Sequence, residues 1–298
     1  MSRIHEALKR AEREKGRAPL PPPQAVDEAP AAVPQGRTAT PAAPIAAPQG
    51  AKTAAPSASL PVAPPPATVP APLESCRRTH WHEDVAKLFF LSGKGHAFAT
   101  EQLRALRSRL YQFREARTLK SVLVTSAMPG EGKTFICANL AYAFARQSDR
   151  RVLLIDADLR SPGLHSLMGA PAEPGLASYL RGESGLEQIL QRGPHENLFL
   201  IAAGKPAHNP ADLLAGGKLK GLLAQLAPLF DWILLDSPPA APVSDALQIA
   251  DWCDGVLLVV QSGKTPYDLA QSVTHELREK RLLGVVLNRT DASAAAAG

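Results

Sequence analysis

Short, unbroken apolar runs recur along the chain from residue 121 onward, at 121–125, 152–155, 198–202, 232–235, 255–260 and 283–287. None alternates between apolar and polar residues, so each predicts a strand covered on both faces. Longer stretches with helical spacing fall at 99–116, 135–146, 218–229, 244–251 and 267–280. In the first of these, Leu103, Leu106, Leu110 and Phe113 are expected on one apolar face. Such strand–helix alternation predicts an α/β fold, a mostly parallel sheet with helices on both faces.

The first quarter of the chain has a different texture. Residues 18–73 hold 16 of the 28 prolines, set among alanines with almost no aromatic or periodic apolar residues. A stretch that buries so little cannot offset chain entropy, so a disordered, partly polyproline linker is expected there. Ahead of it, in residues 1–17, Ile4, Ala7, Leu8 and Ala11 recur at helical spacing behind a capping Ser2, as in a short amphipathic docking helix. Residues 74–298 are enough for one sizeable core. No apolar run approaches the roughly eighteen residues of a membrane span, and the charged N-terminus does not resemble a signal peptide, so a cytoplasmic location is expected unless the chain is tethered. Cys76, Cys137 and Cys253 form no CxxC pair, in keeping with a reducing compartment, and Cys137 is expected as a small core residue.

The formal net charge of +5 is unevenly placed. Between Arg77 and Lys120 there are ten Lys or Arg against four acids. A basic stretch of this kind suits nucleic acid, anionic lipid, an acidic surface of another subunit, or simply solvent. His80 and His82 lack metal-ligand spacing to other ligating residues and are expected at the surface.

The strongest chemical signal is residues 126–134, SAMPGEGKT, lying between a strand and a helix. Glycines let the backbone curl so that successive N–H groups and the positive end of the next helix face phosphate. Lys133 then reaches the outer phosphates and the Thr134 hydroxyl is placed to ligate Mg²⁺. The runs at 152 and 232 both end in carboxylates, Asp156 and Asp158 on one and Asp236 on the other, at the strand ends where ligands sit in open α/β sheets. Mg²⁺ takes hard oxygens and usually only one or two carboxylates, which makes Thr134 and Asp236 first candidates with Asp158 close behind. Asp156 is then left to accept the proton of an attacking hydroxyl.

Three stretches, EQLRALR (101–107), the phosphate loop, and LIDADLRSP (154–162), together resemble the cytoplasmic bacterial tyrosine kinases of the CpsD/CapB group, which serve capsule and exopolysaccharide synthesis. The similarity runs on through NPADLL (209–214) and DSPP (236–239), roughly from Thr100 to Asn288. The opening MSRIHEALKRA is similar to members encoded with exosortase-linked polysaccharide systems. The resemblance implies a P-loop NTPase-type fold and γ-phosphoryl transfer from Mg²⁺·ATP to a tyrosine. It places catalytic roles on Lys133, Asp156 and Asp158, and nucleotide binding on Pro129, Gly130, Glu131, Gly132, Lys133, Thr134 and Asn288. Metal ligation falls on Thr134, Asp158 and Asp236, and ring assembly on Glu101, Arg104 and Arg107. The implied partners are a membrane polysaccharide co-polymerase or activator at the inner face of the cell membrane, further copies of the chain, and tyrosine-bearing proteins. Nucleic acid is not expected.

Family members usually end in a tyrosine-rich tail, whereas no tyrosine follows Tyr267, so tail autophosphorylation is not expected here. Two other readings share the loop. One is a positioning ATPase of the MinD/ParA type, which carries a further lysine where this chain has Met128. The other is an ATP-binding regulatory subunit without kinase output.

Overall fold

The six apolar runs, joined by two short further strands, assemble into one sheet of eight strands among the described residues. The computed structural model describes residues 71–290, apart from 85, 92–95, 148, 242 and 243. The helix expected at 1–17, and nearly all of the linker expected at 18–73, lie outside the described residues. The strands are β1 (Arg77–Arg78), β2 (Ser121–Ser126), β3 (Val152–Asp156), β4 (Leu190–Arg192), β5 (Leu198–Ile201), β6 (Trp232–Asp236), β7 (Gly255–Gln261) and β8 (Leu282–Asn288). Their order is β1-β4-β5-β3-β6-β2-β7-β8, and every neighbouring pair is parallel except β4 with β5.

Helices cover both faces, which is why the strands show no alternation. Successive residues of β3 point to opposite sides, Leu153 and Ile155 into one apolar cluster and Val152 and Leu154 into another, and all four are fully buried. On the second side lie α2 (Ala97–Ala116) and α3 (Lys133–Ala145), which contribute Leu103, Leu110, Ile136, Leu140 and Phe144. The first side is covered by α8 (Lys218–Leu226), α9 (Asp245–Ala250) and α10 (Tyr267–Arg278). Four shorter helices, α4 (Leu164–Met168), α5 (Leu176–Arg181), α6 (Leu186–Ile189) and α7 (Pro210–Ala215), lie between β3 and α8, and α1 (Ala71–Glu74) precedes β1. All three cysteines are free and buried, Cys137 in α3 as expected of a core residue.

One face expected from the sequence needs correcting. In α2, Leu103 and Leu110 are buried and Leu106 packs at the edge of the core, but Phe113 is 39% exposed. Ten residues at 3.6 per turn rotate Phe113 about 80° away from Leu103, off the packed face. The neighbouring Arg114 packs there instead, its guanidinium 5.2 Å from the centre of the Trp232 ring and donating to the Asp231 carbonyl at 3.1 Å.

Trp232 opens β6 and is fully buried, stacked on Phe144 at 4.2 Å and met edge-on by Tyr111 at 5.4 Å. Its indole N–H has no hydrogen-bond partner among the described residues. Trp232→Ala therefore removes a large packed ring and should destabilise the fold by about 3–5 kcal/mol. Trp232→Phe keeps most of the ring contact and sacrifices no hydrogen bond, so its cost should be clearly smaller. Urea unfolding midpoints of the three proteins check both the size and the order.

Candidate functional site

The site follows from the strand order. β6 comes after both β2 and β3 in sequence yet lies between them, so the carboxyl ends of β2, β6 and β3 stand side by side. Val124 pairs with Asp236, and Asp236 in turn with Asp156. Ligands in open α/β sheets bind at such a crossing of connections.

From the end of β2 the chain turns through 127–132 into α3. Gly130 and Gly132 adopt positive φ, 81° and 95°, a backbone region that side-chain-bearing residues rarely occupy. At Gly132 space is a second constraint, because a Cβ there would come within 2.2 Å of Asn288 Nδ2. The loop ends in α3, whose first-turn amides are without intrahelical acceptors and so are donors for an anion. Above it opens a cleft of about 370 Å³, floored by residues 130–134 without Glu131 and walled by Phe135, Leu167, Lys87 and Arg289.

At and beneath the cleft floor five side chains converge. Lys133 Nζ lies 2.9 Å from Asp158 Oδ2 and 3.4 Å from Thr134 Oγ1. The Thr134 hydroxyl donates to Asp236 Oδ2 at 2.6 Å. Asp156 accepts N–H groups from Gly163 and Leu164 at 3.0 Å on Oδ2 and from Asp158 at 3.2 Å on Oδ1. Three of the roughly four acceptor positions of Asp156 are thereby taken and one remains. Asp158 accepts the Ser161 N–H at 2.9 Å, so the turn after β3 wraps around both carboxyl groups.

Burial and like charge govern how this cluster titrates. Burial, then the adjacent Asp236, push Asp156 up from the usual carboxyl range to about 8, although the amides of Leu164 and Gly163 pull the other way. Burial likewise raises Asp236, to about 6, against the pull of Lys133 and of the Thr134 hydroxyl. Burial alone would lower the Lys133 ammonium, but Asp236, Asp158 and Asp156 outweigh it and raise it. Burial thus opposes negative charge on Asp156 more than on Asp236, and a cation bound beside them would relieve both.

Asp236 Oδ1 is buried without a hydrogen-bond partner among the described residues. An orphaned carboxyl oxygen beside a threonine hydroxyl is a hard-oxygen donor set of the kind Mg²⁺ takes. Among the described residues no group of three or more His, Cys, Asp or Glu forms a metal cage. A cation here would therefore draw on Thr134 and Asp236, with Asp158 adjacent, and complete its shell with phosphate and water.

The other expected residues are placed as follows. Pro129 is exposed at the loop tip, and Glu131 is buried within the loop. The Asn288 side chain lies beneath the loop and donates to the Glu131 carbonyl at 2.8 Å. Glu101 and Arg104 pair with each other at 3.0 Å on the exposed surface of α2. Arg107 turns inward and donates to the Ala143 carbonyl at 2.6 Å, in the last turn of α3. Two features went unassigned by sequence reasoning. Arg160 makes a two-pronged contact with Asp245, at 2.7 and 3.2 Å, and Thr265 donates to Glu131. Arg160 stands in the LIDADLRSP stretch, which was its only sequence signal; Thr265 had none.

Comparison with known proteins agrees with this geometry. Residues 122–297 match the family described as the CobQ/CobB/MinD/ParA nucleotide binding domain. The tyrosine-protein kinase YwqD of Bacillus subtilis is 38% identical over 191 residues, covering 63% of this chain and 80% of YwqD. The solved kinase domain of the Escherichia coli tyrosine kinase ETK superposes with a TM-score of 0.60 at 31% identity, covering 65% of this chain and 78% of that domain. Longer relatives are matched only in part; the chain spans 22% of the succinoglycan biosynthesis transport protein ExoP of Rhizobium meliloti, at 36% identity over 57% of its own length. With YwqD covered over most of its length and the family match spanning more than half of this chain, the protein belongs to the CobQ/CobB/MinD/ParA nucleotide-binding family and, within it, to the bacterial tyrosine kinases.

Proposed function

We propose that the protein transfers the γ-phosphoryl group of ATP to tyrosine hydroxyls of other proteins and so regulates exopolysaccharide or capsule synthesis or export. The observation that carries this is the convergence of the buried Asp156, Asp158 and Asp236 on Lys133 and Thr134, which line the cleft at a phosphate loop. Lys133, paired with Asp158 in the nucleotide-free protein, moves its ammonium onto the outer phosphates. Thr134, Asp236 and Asp158 would hold Mg²⁺, which would neutralise phosphate charge when bound. The free acceptor position of Asp156 takes the tyrosine proton, and the amides of Gly163 and Leu164 hold that carboxyl group in orientation. The name of ExoP, a biosynthesis transport protein, supports the polysaccharide setting. No described helix is long and apolar enough to cross a membrane; a membrane polysaccharide co-polymerase or activator protein is the proposed recruiting partner at the inner face of the cell membrane. Residues 1–17 are the proposed docking segment and 18–73 their linker. Glu101 and Arg104, exposed on α2, are proposed to pair with further copies of the chain in a ring, an arrangement Arg107 supports from within by fixing α2 to α3.

Lys133→Ala should abolish detectable ATP binding by calorimetry while circular dichroism stays that of the wild type. Asp156→Asn keeps an oxygen for the Gly163 and Leu164 amides, so it should still bind ATP yet lower phosphate transfer to a glutamate–tyrosine copolymer at least about a hundredfold. Transfer that is absent in the wild type too, with ATP bound, leaves an ATP-binding regulatory subunit.

The raised Asp156 and Asp236 bind more protons folded than unfolded. The contribution of these two groups to the stability of the protein without nucleotide or metal should therefore be full only below the ordinary aspartate value of 3.8, fall as pH rises from there, and be lost past about 6 for Asp236 and about 8 for Asp156. Asp156→Asn should flatten the upper part of that fall, as read from urea unfolding between pH 5 and pH 9. For assembly, Arg104→Ala should shift light scattering of the ATP-loaded protein toward monomer, with the melting temperature unchanged because the residue is exposed.

A further inference from the structure

Glu131 sits in the middle of the phosphate loop yet is only 2% exposed. A carboxylate there is of the same sign as the phosphates the loop would collect, and in a buried setting that repulsion is weakly screened. The structure shows where its charge goes. One oxygen accepts the Met128 N–H at 2.7 Å, and the other accepts the hydroxyl of Thr265, in the connection between β7 and α10. Thr265 Oγ1 in turn accepts the Gln261 N–H at 2.9 Å. Hydrogen bonds to a charged acceptor are about twice as strong as neutral ones, and here they absorb the carboxylate from behind the loop.

The backbone of Glu131 is held from the same side. Its carbonyl accepts Asn288 Nδ2 at 2.8 Å, and the Asn288 carbonyl accepts the Ser262 N–H at 2.9 Å. Segments 128–131, 261–265 and 288–289 thus form a closed hydrogen-bonded ring. The Asn288 side chain fills the space where a Cβ of residue 132 would sit, so the ring also sets the left-handed backbone at Gly132. None of these contacts uses the Lys133 amine or the first amides of α3, which stay available to an anion.

We propose, given that the loop binds nucleotide, that Glu131 and Thr265 are positioning residues: their contact holds the loop in its phosphate-accepting form before nucleotide arrives and ties it to the β7–α10 connection. Loop order is then set by two side chains that do not touch phosphate. Losing the Thr265 hydroxyl leaves one oxygen of the buried Glu131 carboxylate without its partner, losing the carboxylate frees Thr265 from the loop, and either way the loop samples forms that bind poorly.

The test uses the full chain and Mg²⁺·ATP, with the dissociation constant read by calorimetry well below the melting temperature. Thr265→Val keeps the shape but removes the hydroxyl and should weaken binding about tenfold. Thr265→Ser should restore it to within about twofold, a rescue that loss of fold stability alone would not give. Glu131→Gln combined with Thr265→Val should bind no worse than the weaker single variant, because both act through one contact. Wild-type affinity in Thr265→Val, or fully additive losses in the double variant, would overturn the proposal while Lys133→Ala still loses binding. If Lys133→Ala binds normally as well, the phosphate-loop reading itself fails, and this proposal with it.

Discussion

Three carboxyl groups and one ammonium share the buried carboxyl ends of adjacent strands, and the surrounding structure is arranged around the need to keep them there. Asp156, Asp158 and Asp236 are each at most 1% exposed, and only Lys133 among the described ammonium groups lies within ion-pair distance of them. Buried like charges are tolerated when each is hydrogen-bonded or partly protonated. Both devices operate here. The turn after β3 supplies the amides of Ser161, Gly163 and Leu164, and burial raises Asp156 and Asp236 above the ordinary carboxyl range, which eases protonation. The glycine at 163 belongs to the same economy of space, since a Cβ there would press on the Thr134 methyl at 3.3 Å.

The centre of the fold and of the site was legible because its signals are local. Strands buried on both faces announce themselves as apolar runs, and a carboxylate at the end of such a run stands at the ligand edge of the sheet. Five of the six expected strands extend one residue beyond their apolar runs, to Ser126, Asp156, Asp236, Gln261 and Asn288, because the ladder continues where polarity, not pairing, changes; β5, expected to reach residue 202, stops at Ile201. What sequence did not disclose is pairing at long range. Arg160 with Asp245 and Glu131 with Thr265 join residues 85 and 134 positions apart, and neither partner carries a mark of the other. The short helices between β3 and α8 span too few turns for a period to emerge, and β1 and β4 are two and three residues long.

The helix at 97–116 shows how a basic stretch divides its labour. Arg107 and Arg114 are spent inward, on the carbonyls of Ala143 and Asp231, and Arg114 also covers the Trp232 ring. Such arginines stabilise through their stems and donors as much as through charge. Glu101 and Arg104 remain on the outer surface of the helix that also carries the exposed Phe98 and Phe113. Charge counting alone treats these arginines as equivalent; packing separates them.

Thr134 and Asp236 meet across 102 residues of chain, and Glu131 and Asn288 across 157. The central strand of the site is thus among the later ones to be synthesised, and the strand that steadies the phosphate loop is the last one described. A nascent chain that has completed only the loop and its helix has no Asp236 to receive the Thr134 hydroxyl and no β8 to support Gly132. Nucleotide cannot template an early half of this domain; the parallel ladder must wait for distant partners, and closing such long intervals slows folding. The nucleotide site in this protein accordingly belongs to the finished domain and to no early part of it.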